Sequence, residues 1–240
     1  IECLLTDDPA HAAELAQVLH TINQERRGLQ AGMQEMAEAQ LPDLDAMEDV
    51  VAACLYDIDW HPGVVGLVAS KTKERLHRPA VAFAPVEPGS TRLRGSCRSL
   101  PGFHMRDALA LVDARHPGLI PRFGGHAMAA GLSLDLEDLP AFRAAFRQVA
   151  SETLTADLLT DTLISDGTLD DLDFAIDAAL ALRDGRHWGQ GYPEPLFDGE
   201  FDVVGWRIVG ERHLKLALQH GAQRLTATQS AAFDGPPPPP

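Results

Sequence analysis

The chain has 240 residues, of which 45% are apolar and 23% charged, and 35 acidic against 20 basic residues give it a net charge of −15. This apolar content excludes a disordered chain, and no run approaches the roughly 18 apolar residues of a membrane span. The overall negative charge argues against a protein that coats itself with nucleic acid. Three widely spaced cysteines (Cys3, Cys54 and Cys97) indicate neither a disulfide framework nor a zinc site, so we expect a cytoplasmic protein.

A long amphipathic helix is predicted at the start of the chain. Asp8 is a preferred N-cap residue, Pro9 suits the first helical position, and apolar residues then recur at helical spacing until Pro42. A narrow apolar stripe on so long a helix is typical of a connector between two domains, although an ordinary core helix fits the same pattern. We assign residues 1–47 to this connector.

Strands and helices alternate over residues 48–157, which predicts an α/β domain with a parallel or mixed sheet. The predicted elements are strand 50–56, helix 64–76, strand 79–84, strand 92–99, helix 105–114, strand 127–134 and helix 139–154.

A second domain is predicted over residues 158–235. One helix at 173–182 is followed by three closely spaced strands, too few to close a barrel, so an incomplete β-barrel or sandwich is expected. These strands are predicted at 201–209, 213–219 and 224–229. Residues 236–240 form a proline tail to which we assign no function.

The charge is unevenly distributed along the chain. Residues 61–126 carry ten basic and four acidic residues, a net charge of +6, which leaves −21 for the remainder. Such a segment is often no more than a solvated surface. Here, however, it also contains two glycine motifs, which favours an anion-binding region.

The first motif runs from Arg94 to Ser99. Its small residues allow a ligand to approach the backbone, its hydroxyls can donate hydrogen bonds, and Arg98 can grip a phosphate with two N–H groups. A strand edge with polar residues facing water fits the same residues. The second motif runs from Phe123 to Gly131. It predicts a loop leading into a helix N-terminus, where amide N–H groups bind an anion, and a turn with positive φ is the alternative.

A third candidate site consists of Asp57, Asp59 and His61, which would share one face of an extended segment. Two carboxylates and an imidazole could hold a divalent cation. Turn formation or helix capping before Pro62 is the commoner role for such residues.

Five motifs, in this order and spacing, together resemble the DHH-associated domain of the RecJ family of single-stranded-DNA exonucleases, part of the DHH phosphoesterase superfamily. They are Trp60–Ser70, His77–Pro79, Gly95–Ser99, Met105–Leu109 and Phe123–Gly131. Residues 22–27 resemble the interdomain helix of that family, and residues 188–197 and 209–215 resemble the start of its OB-fold domain. The implied fold is an α/β DHH-associated domain with a mixed sheet and flanking helices, preceded by the connector helix and followed by a partial OB-like β-barrel.

The resemblance implies part of a 5′→3′ exonuclease of DNA recombination and repair. In that family a DHH domain binds two Mn²⁺ or Mg²⁺ ions and hydrolyses the phosphodiester, the DHH-associated domain grips the 5′ end, and the OB fold holds the strand. The residues that would contact single-stranded DNA are Ser96 and Arg98 at the 5′-terminal phosphate, Gly124, Gly125 and His126 along the adjacent phosphate path, and Arg26 from the connector.

Two departures from the family pattern matter. Cys97 stands where the family usually has Gly, and we expect it to add a side chain beside the phosphate. No Asp-His-His triplet occurs in the sequence. We therefore expect the metal-binding domain to precede Ile1, and this chain to bind DNA as a monomer without a metal or a catalytic residue of its own. Single-strand-binding protein and a helicase are the partners that the resemblance implies, and no membrane partner is expected.

Three alternatives remain open at this point. The chain could belong to a DHH-family phosphodiesterase for short RNA or cyclic dinucleotides, it could be a non-catalytic single-stranded nucleic-acid-binding module, or it could be a metal hydrolase centred on Asp57, Asp59 and His61.

Overall fold

A computed structural model of the chain describes residues 1–41, 50–170, 172–189, 191–210, 213–230 and 232. The predicted end of the connector, the proline tail and parts of the motifs at 188–197 and 209–215 lie outside the described residues.

The chain divides into two units, residues 1–161 and 162–240. The first unit contains α1 (Glu2–Leu5), α2 (Pro9–Ala39), β1 (Ala53–Tyr56), α3 (Val65–Leu76), β2 (Ala80–Pro85), β3 (Arg92–Arg98), α4 (Met105–Arg115), β4 (Arg122–Gly125), β5 (Ala129–Asp135) and α5 (Leu139–Thr153). The second contains α6 (Ile176–Gly185), β6 (Asp202–Val209), β7 (His213–His220) and β8 (Gln223–Gln229).

Helix α2 begins where the sequence predicts. The Asp8 carboxylate accepts a hydrogen bond from the Ala10 amide at 2.9 Å, and a proline occupies the first turn. The helix has 31 residues and is therefore about 46 Å long. Met33 and Ala37, near its end, are buried against α3, whereas Ile22 is 53% exposed. Its last turns thus attach the helix to the rest of the first unit.

The first unit is built on a five-stranded sheet with the strand order β1-β2-β3-β5-β4. Strands β1 and β2 pair in parallel, and all the other pairs are antiparallel. A parallel pair needs a crossover, and α3 supplies it. The predicted mixed α/β sheet is confirmed.

The two faces of this sheet differ in how they are covered. One face packs against α4 and α5 around an aromatic core in which Phe142 lies edge-on to Phe83 and stacks on Phe146. Helices α2 and α3 cover the other face where Ala82 and Ala84 of β2 point towards them. Beyond this cover, residues of β3, β5 and β4 on the same face are exposed, including Arg94, Arg122 and Gly124. The second face is therefore open over β4, β5 and the Arg92–Arg94 end of β3, whereas Ser96 and Arg98 lie at the edge of α3.

The segment around Gly124 and Gly125 differs from its prediction. It forms strand β4, whose glycines pair with Gly131 and Ala130 of β5 in a hairpin, rather than a loop leading into a helix. The His126 amide donates to the Ala129 carbonyl oxygen at 2.8 Å and closes the turn. The predicted helix N-terminus is thus wrong. The reason is that two glycines and small residues carry no strand periodicity, and only pairing with β5 makes them a strand.

The second unit contains a three-stranded antiparallel sheet in the order β6-β7-β8, with an irregularity between Val203 and Gly205. The rings of Phe174, Phe201 and His220 cluster beside it with centroid separations of 5.1 to 5.9 Å. The predicted partial sheet is confirmed. None of the described helices is long and apolar enough to cross a lipid bilayer.

Candidate nucleic-acid interface

Strand β3 divides its side chains between the core and the open face of the sheet. Side chains alternate along a strand, so every second residue shares a face. The buried side of β3 consists of Leu93, Gly95 and Cys97. The open side consists of Arg92, Arg94, Ser96 and Arg98. Two of the predicted phosphate-binding residues, Ser96 and Arg98, therefore lie side by side on the open face.

The Arg98 guanidinium is held in one orientation by three hydrogen bonds. Its Nε donates to Ser70 Oγ at 3.0 Å, and its Nη1 donates to Ser96 Oγ at 3.1 Å and to the Cys97 carbonyl oxygen at 2.9 Å. No bond within the described chain uses Nη2, so both of its N–H groups are available to a ligand. An arginine fixed in this way loses little side-chain freedom when it binds an anion.

Arg98 Nη2 and Ser96 Oγ can approach α3 closely because residue 66 is a glycine. A Cβ at Gly66 would lie 3.2 Å from Arg98 Nη2 and 3.2 Å from Ser96 Oγ. Gly66 lies in the first turn of α3, where the helix dipole is positive. We call this cluster of Gly66, Ser96 and Arg98 the terminal pocket. Gly66 and Ser70 stand four residues apart on one face of α3, which is the sequence signal that could have identified them.

The two glycines of β4 have different roles. Gly124 pairs with Gly131 of β5, and no atom lies within 4 Å of the Cβ it would carry, so the protein itself does not require a glycine there. A strand glycine in such a position allows a ligand to approach the backbone closely, because no side chain stands above it. Gly125 is different because its φ is 144° and a Cβ would lie 2.4 Å from the Ala130 Cα. Its glycine is a requirement of the hairpin.

His126 and Arg26 lie outside the terminal pocket. His126 is exposed at the turn after β4. The Met105 amide donates to the Ala127 carbonyl oxygen and the Ser99 amide to the Met128 carbonyl oxygen, and these two bonds anchor the turn. Arg26 is exposed on α2 and donates to Asn23 Oδ1 at 2.9 and 3.3 Å. Within the described residues no hydrogen bond or ion pair joins Arg26 to Ser96 or Arg98.

Two expectations about the motif around Ser96 are wrong. Cys97 adds no side chain beside Arg98, because it is fully buried on the opposite face of the sheet. That burial raises the pKa of the Cys97 thiol, so it remains protonated and unreactive. Gly95 does not open the backbone to a ligand either, since its Cβ position lies 2.6 Å from the Phe83 ring and 2.7 Å from Leu132.

Asp57, Asp59 and His61 form a turn. The Asp57 carboxylate accepts from the Asp59 amide at 2.9 Å, and His61 Nδ1 accepts from the Gly63 amide at 3.0 Å. Over the described ranges, no three His, Cys, Asp or Glu side chains are grouped so that they could hold a metal ion. The turn alternative therefore accounts for these residues, and the metal-hydrolase alternative has no ligand cluster here to support it.

Arg94 and Arg122 were not among the predicted site residues. Together with Gly124, Gly131 and Ser133 they line a cleft of about 390 Å³ on the open face, next to Ser96. Arg94 and Arg122 are brought to the same row because each pairs with Ser133, one from either side of β5. The strict alternation of β3 could have identified Arg94, but no local pattern marks Arg122.

Two domain families match the chain. The DHHA1 domain matches residues 49–152, and the RecJ OB domain matches residues 165–234. The chain belongs to the RecJ family. Its DHHA1 domain contains the whole sheet of the first unit, and its OB domain contains the three-stranded sheet of the second.

Individual relatives of this RecJ-family chain agree with the domain matches. It is 43% identical over 221 residues to the single-stranded-DNA-specific exonuclease RecJ of Escherichia coli, covering 91% of this chain and 38% of that protein. Two crystal structures of RecJ from Thermus thermophilus are also similar. The Mg²⁺ complex has a TM-score of 0.76 at 29% identity and covers 100% of this chain and 35% of the other, and the Mn²⁺ complex has 0.72 at 30%, with 99% and 33%. The chain thus spans little more than a third of the length of these relatives.

Proposed function

We propose that this chain is the substrate-binding part of a 5′→3′ single-stranded-DNA exonuclease, and that it grips the 5′-terminal phosphate of the strand. The observation that carries the proposal is the terminal pocket, where the Arg98 guanidinium and the Ser96 hydroxyl lie together beside Gly66 in the first turn of α3. A terminal phosphate carries more negative charge than an internal one and fits an opening with donors on several sides. Such a pocket selects a strand end without reading its bases.

Each unit, taken by itself, carries features that suit a nucleic-acid strand. In the first unit Gly124 and Gly131 form a floor without side chains between β3 and β4. In the OB domain Trp206 is exposed on β6, and the next residue, Arg207, pairs with Lys215 of β7. Aromatic stacking and backbone charge are the usual means of binding single strands without sequence preference. These features support a nucleic-acid strand, rather than a small cyclic ligand, as the substrate. Single-strand-binding protein and a helicase remain proposed partners.

The hydrolytic chemistry is proposed to belong to a metal-binding domain beyond these two. The residues of this chain position the substrate: Arg98 and Ser96 fix the end phosphate, and the glycine floor sets the direction of the strand. Holding a reactant in place is itself a large part of catalysis, since it removes translational and rotational freedom before the reaction.

The test is the affinity of the chain for matched oligothymidylates with a 5′ phosphate or a 5′ hydroxyl, about ten nucleotides long so that they fall within the span of an OB fold. We expect the 5′-phosphorylated strand to bind at least about tenfold more tightly, because one charge-assisted contact contributes about 1.5–3 kcal/mol. Binding of both should weaken as salt rises. Equal affinities would show that the terminal pocket does not recognise a phosphate.

Gly66→Ala tests the position of the terminal pocket. The added methyl group would lie 3.2 Å from Arg98 Nη2 and Ser96 Oγ, so both groups must shift to admit it. We expect the affinity for the 5′-phosphorylated strand to fall by about 1 kcal/mol, roughly fivefold, and this displacement to offset the gain of up to about 1 kcal/mol that a helix makes on losing a glycine. Titration and thermal unfolding measure the two effects.

The matched control for this variant is Gly32→Ala in α2, where no atom lies within 4 Å of the added Cβ. It should raise the helix stability by up to about 1 kcal/mol, because no group has to move, and leave DNA affinity unchanged. A Gly66→Ala protein that binds the 5′-phosphorylated strand as tightly as the Gly32→Ala protein would contradict the position of the pocket.

A further inference from the structure

The cleft beside the terminal pocket is lined by two arginines, Arg94 and Arg122, whose guanidinium groups form no hydrogen bond or ion pair with the described residues. Arg94 on β3 and Arg122 on β4 stand on either side of Ser133, and the cleft between them measures about 390 Å³. Among the described residues, neither guanidinium has a hydrogen-bond or ion-pair partner. This contrasts with Arg98, which three bonds hold in place. Two unpaired guanidinium groups facing one cleft repel each other unless an anion lies between them.

The spacing of this pair matches a polymer that starts in the terminal pocket. On the same face of β3, Arg94 is the neighbour of Ser96 on the side away from Arg98. Residues that are neighbours on one face of a strand are about 6.7 Å apart. Adjacent phosphates of an extended nucleic-acid strand are separated by a similar length. The two arginines lie on strands that flank β5, so they are about 10 Å apart across a floor without large side chains. A phosphodiester thus fits between them one step from the terminal phosphate.

We propose that Arg94 and Arg122 form a second phosphate subsite, which clamps the internal phosphate next to the 5′-terminal one. The proposal rests on the function proposed above and adds the direction of the strand, which runs from Arg98 past Gly131 towards the Arg94 end of β3. The next row along the sheet places Arg92 opposite Asp135, and β4 does not extend to it. Arg92 thus has no second arginine facing it across β5, so the clamp ends at Arg94.

The decisive experiment measures the Arg94→Ala/Arg122→Ala double variant with the 5′-phosphate and 5′-hydroxyl oligothymidylates. We expect both affinities to fall by at least roughly 100-fold, because two charge-assisted contacts are lost, while the ratio between the two strands stays at the wild-type value. The slope of log affinity against log salt should decrease by about 0.7, the value for one phosphate neutralised on a single strand. The Arg94→Lys/Arg122→Lys variant keeps both charges and should retain the wild-type salt slope.

Arg92→Ala is the matched control, since it removes the same charge from the same face of the same strand. It should change affinity by less than about threefold, because Arg92 stands opposite Asp135 rather than a second arginine and exposed charge interactions are weak. Unchanged affinity in the double variant, or an equal loss in Arg92→Ala, would overturn the second subsite. A wild-type chain that binds both strands equally would instead overturn the terminal pocket, so the two failures are distinguishable. Circular dichroism of each variant should match the wild-type spectrum, since the substituted side chains are exposed.

Discussion

Arg98→Ala is expected to weaken the binding of a 5′-phosphorylated oligonucleotide by about 1.5–3 kcal/mol, roughly a 10- to 160-fold rise in Kd. The guanidinium is held by Ser70, Ser96 and the Cys97 carbonyl oxygen, so its free Nη2 is positioned before the ligand arrives. The loss should be much smaller for a 5′-hydroxyl strand, because that strand has no terminal phosphate to fill the pocket. Titration of both strands against the variant measures the difference.

Two variants control for charge and for geometry. Arg106→Ala removes a positive charge from the exposed side of α4, which packs against the other face of the sheet, and it should leave both affinities nearly unchanged. Arg98→Lys keeps the charge but cannot reproduce the planar set of N–H donors, so it should recover only part of the affinity. A wild-type titration curve for Arg98→Ala would remove Arg98 from the phosphate site.

Phe142→Ala is expected to lower the free energy of unfolding of the first unit by about 3–5 kcal/mol. Its ring is fully buried, lies edge-on to Phe83 at 5.4 Å, and stacks on Phe146 at 5.7 Å. Removing it leaves a cavity between α5 and β2, and rigid strands cannot move in to fill it. Calorimetry should show a lower melting temperature for the transition of residues 1–161 and little change for residues 162–240.

Leu111→Ala is the control for the effect of removing an apolar side chain from a helix of this unit. Leu111 is 37% exposed on α4, so Leu111→Ala should lower the free energy of unfolding by much less than Phe142→Ala does. If Phe142→Ala lowered the free energy of unfolding by less than about 1 kcal/mol, the aromatic cluster would not be the core that holds α5 to the sheet.

Local patterns predicted most of the regular elements. The N-cap of α2 and the apolar spacing of α3, α4 and α5 are properties of neighbouring residues, so they can be read without knowing the fold. Strand β4 was missed for the opposite reason. It has four residues, two of them glycine, and its conformation depends on pairing with β5.

The candidate site could be predicted only in part. Ser96, Arg98 and Gly124 belong to motifs that resemble the RecJ family, and the structure places all three on the open face of the sheet. Gly66, Arg94 and Arg122 are brought near these residues by the packing of α3 on β3 and by the pairing of β3 and β4 with β5. Strands β3 and β4 are consecutive among the strands of the chain, but β5 lies between them in the sheet. The spacing of Arg94 and Arg122 along the chain therefore does not show that they share a row.

The sequence by itself determined the uneven charge, with +6 over residues 61–126 inside a chain of −15, and the helices and strands that carry it. Only the tertiary structure decided which of these residues share a surface. Cys97 and Arg98 are neighbours in the chain, yet one lies in the core and the other in the terminal pocket, because successive side chains of a strand point to opposite faces. Arg122 is remote from Arg94 in sequence and faces it across β5, because strand pairing sets the distances within a sheet.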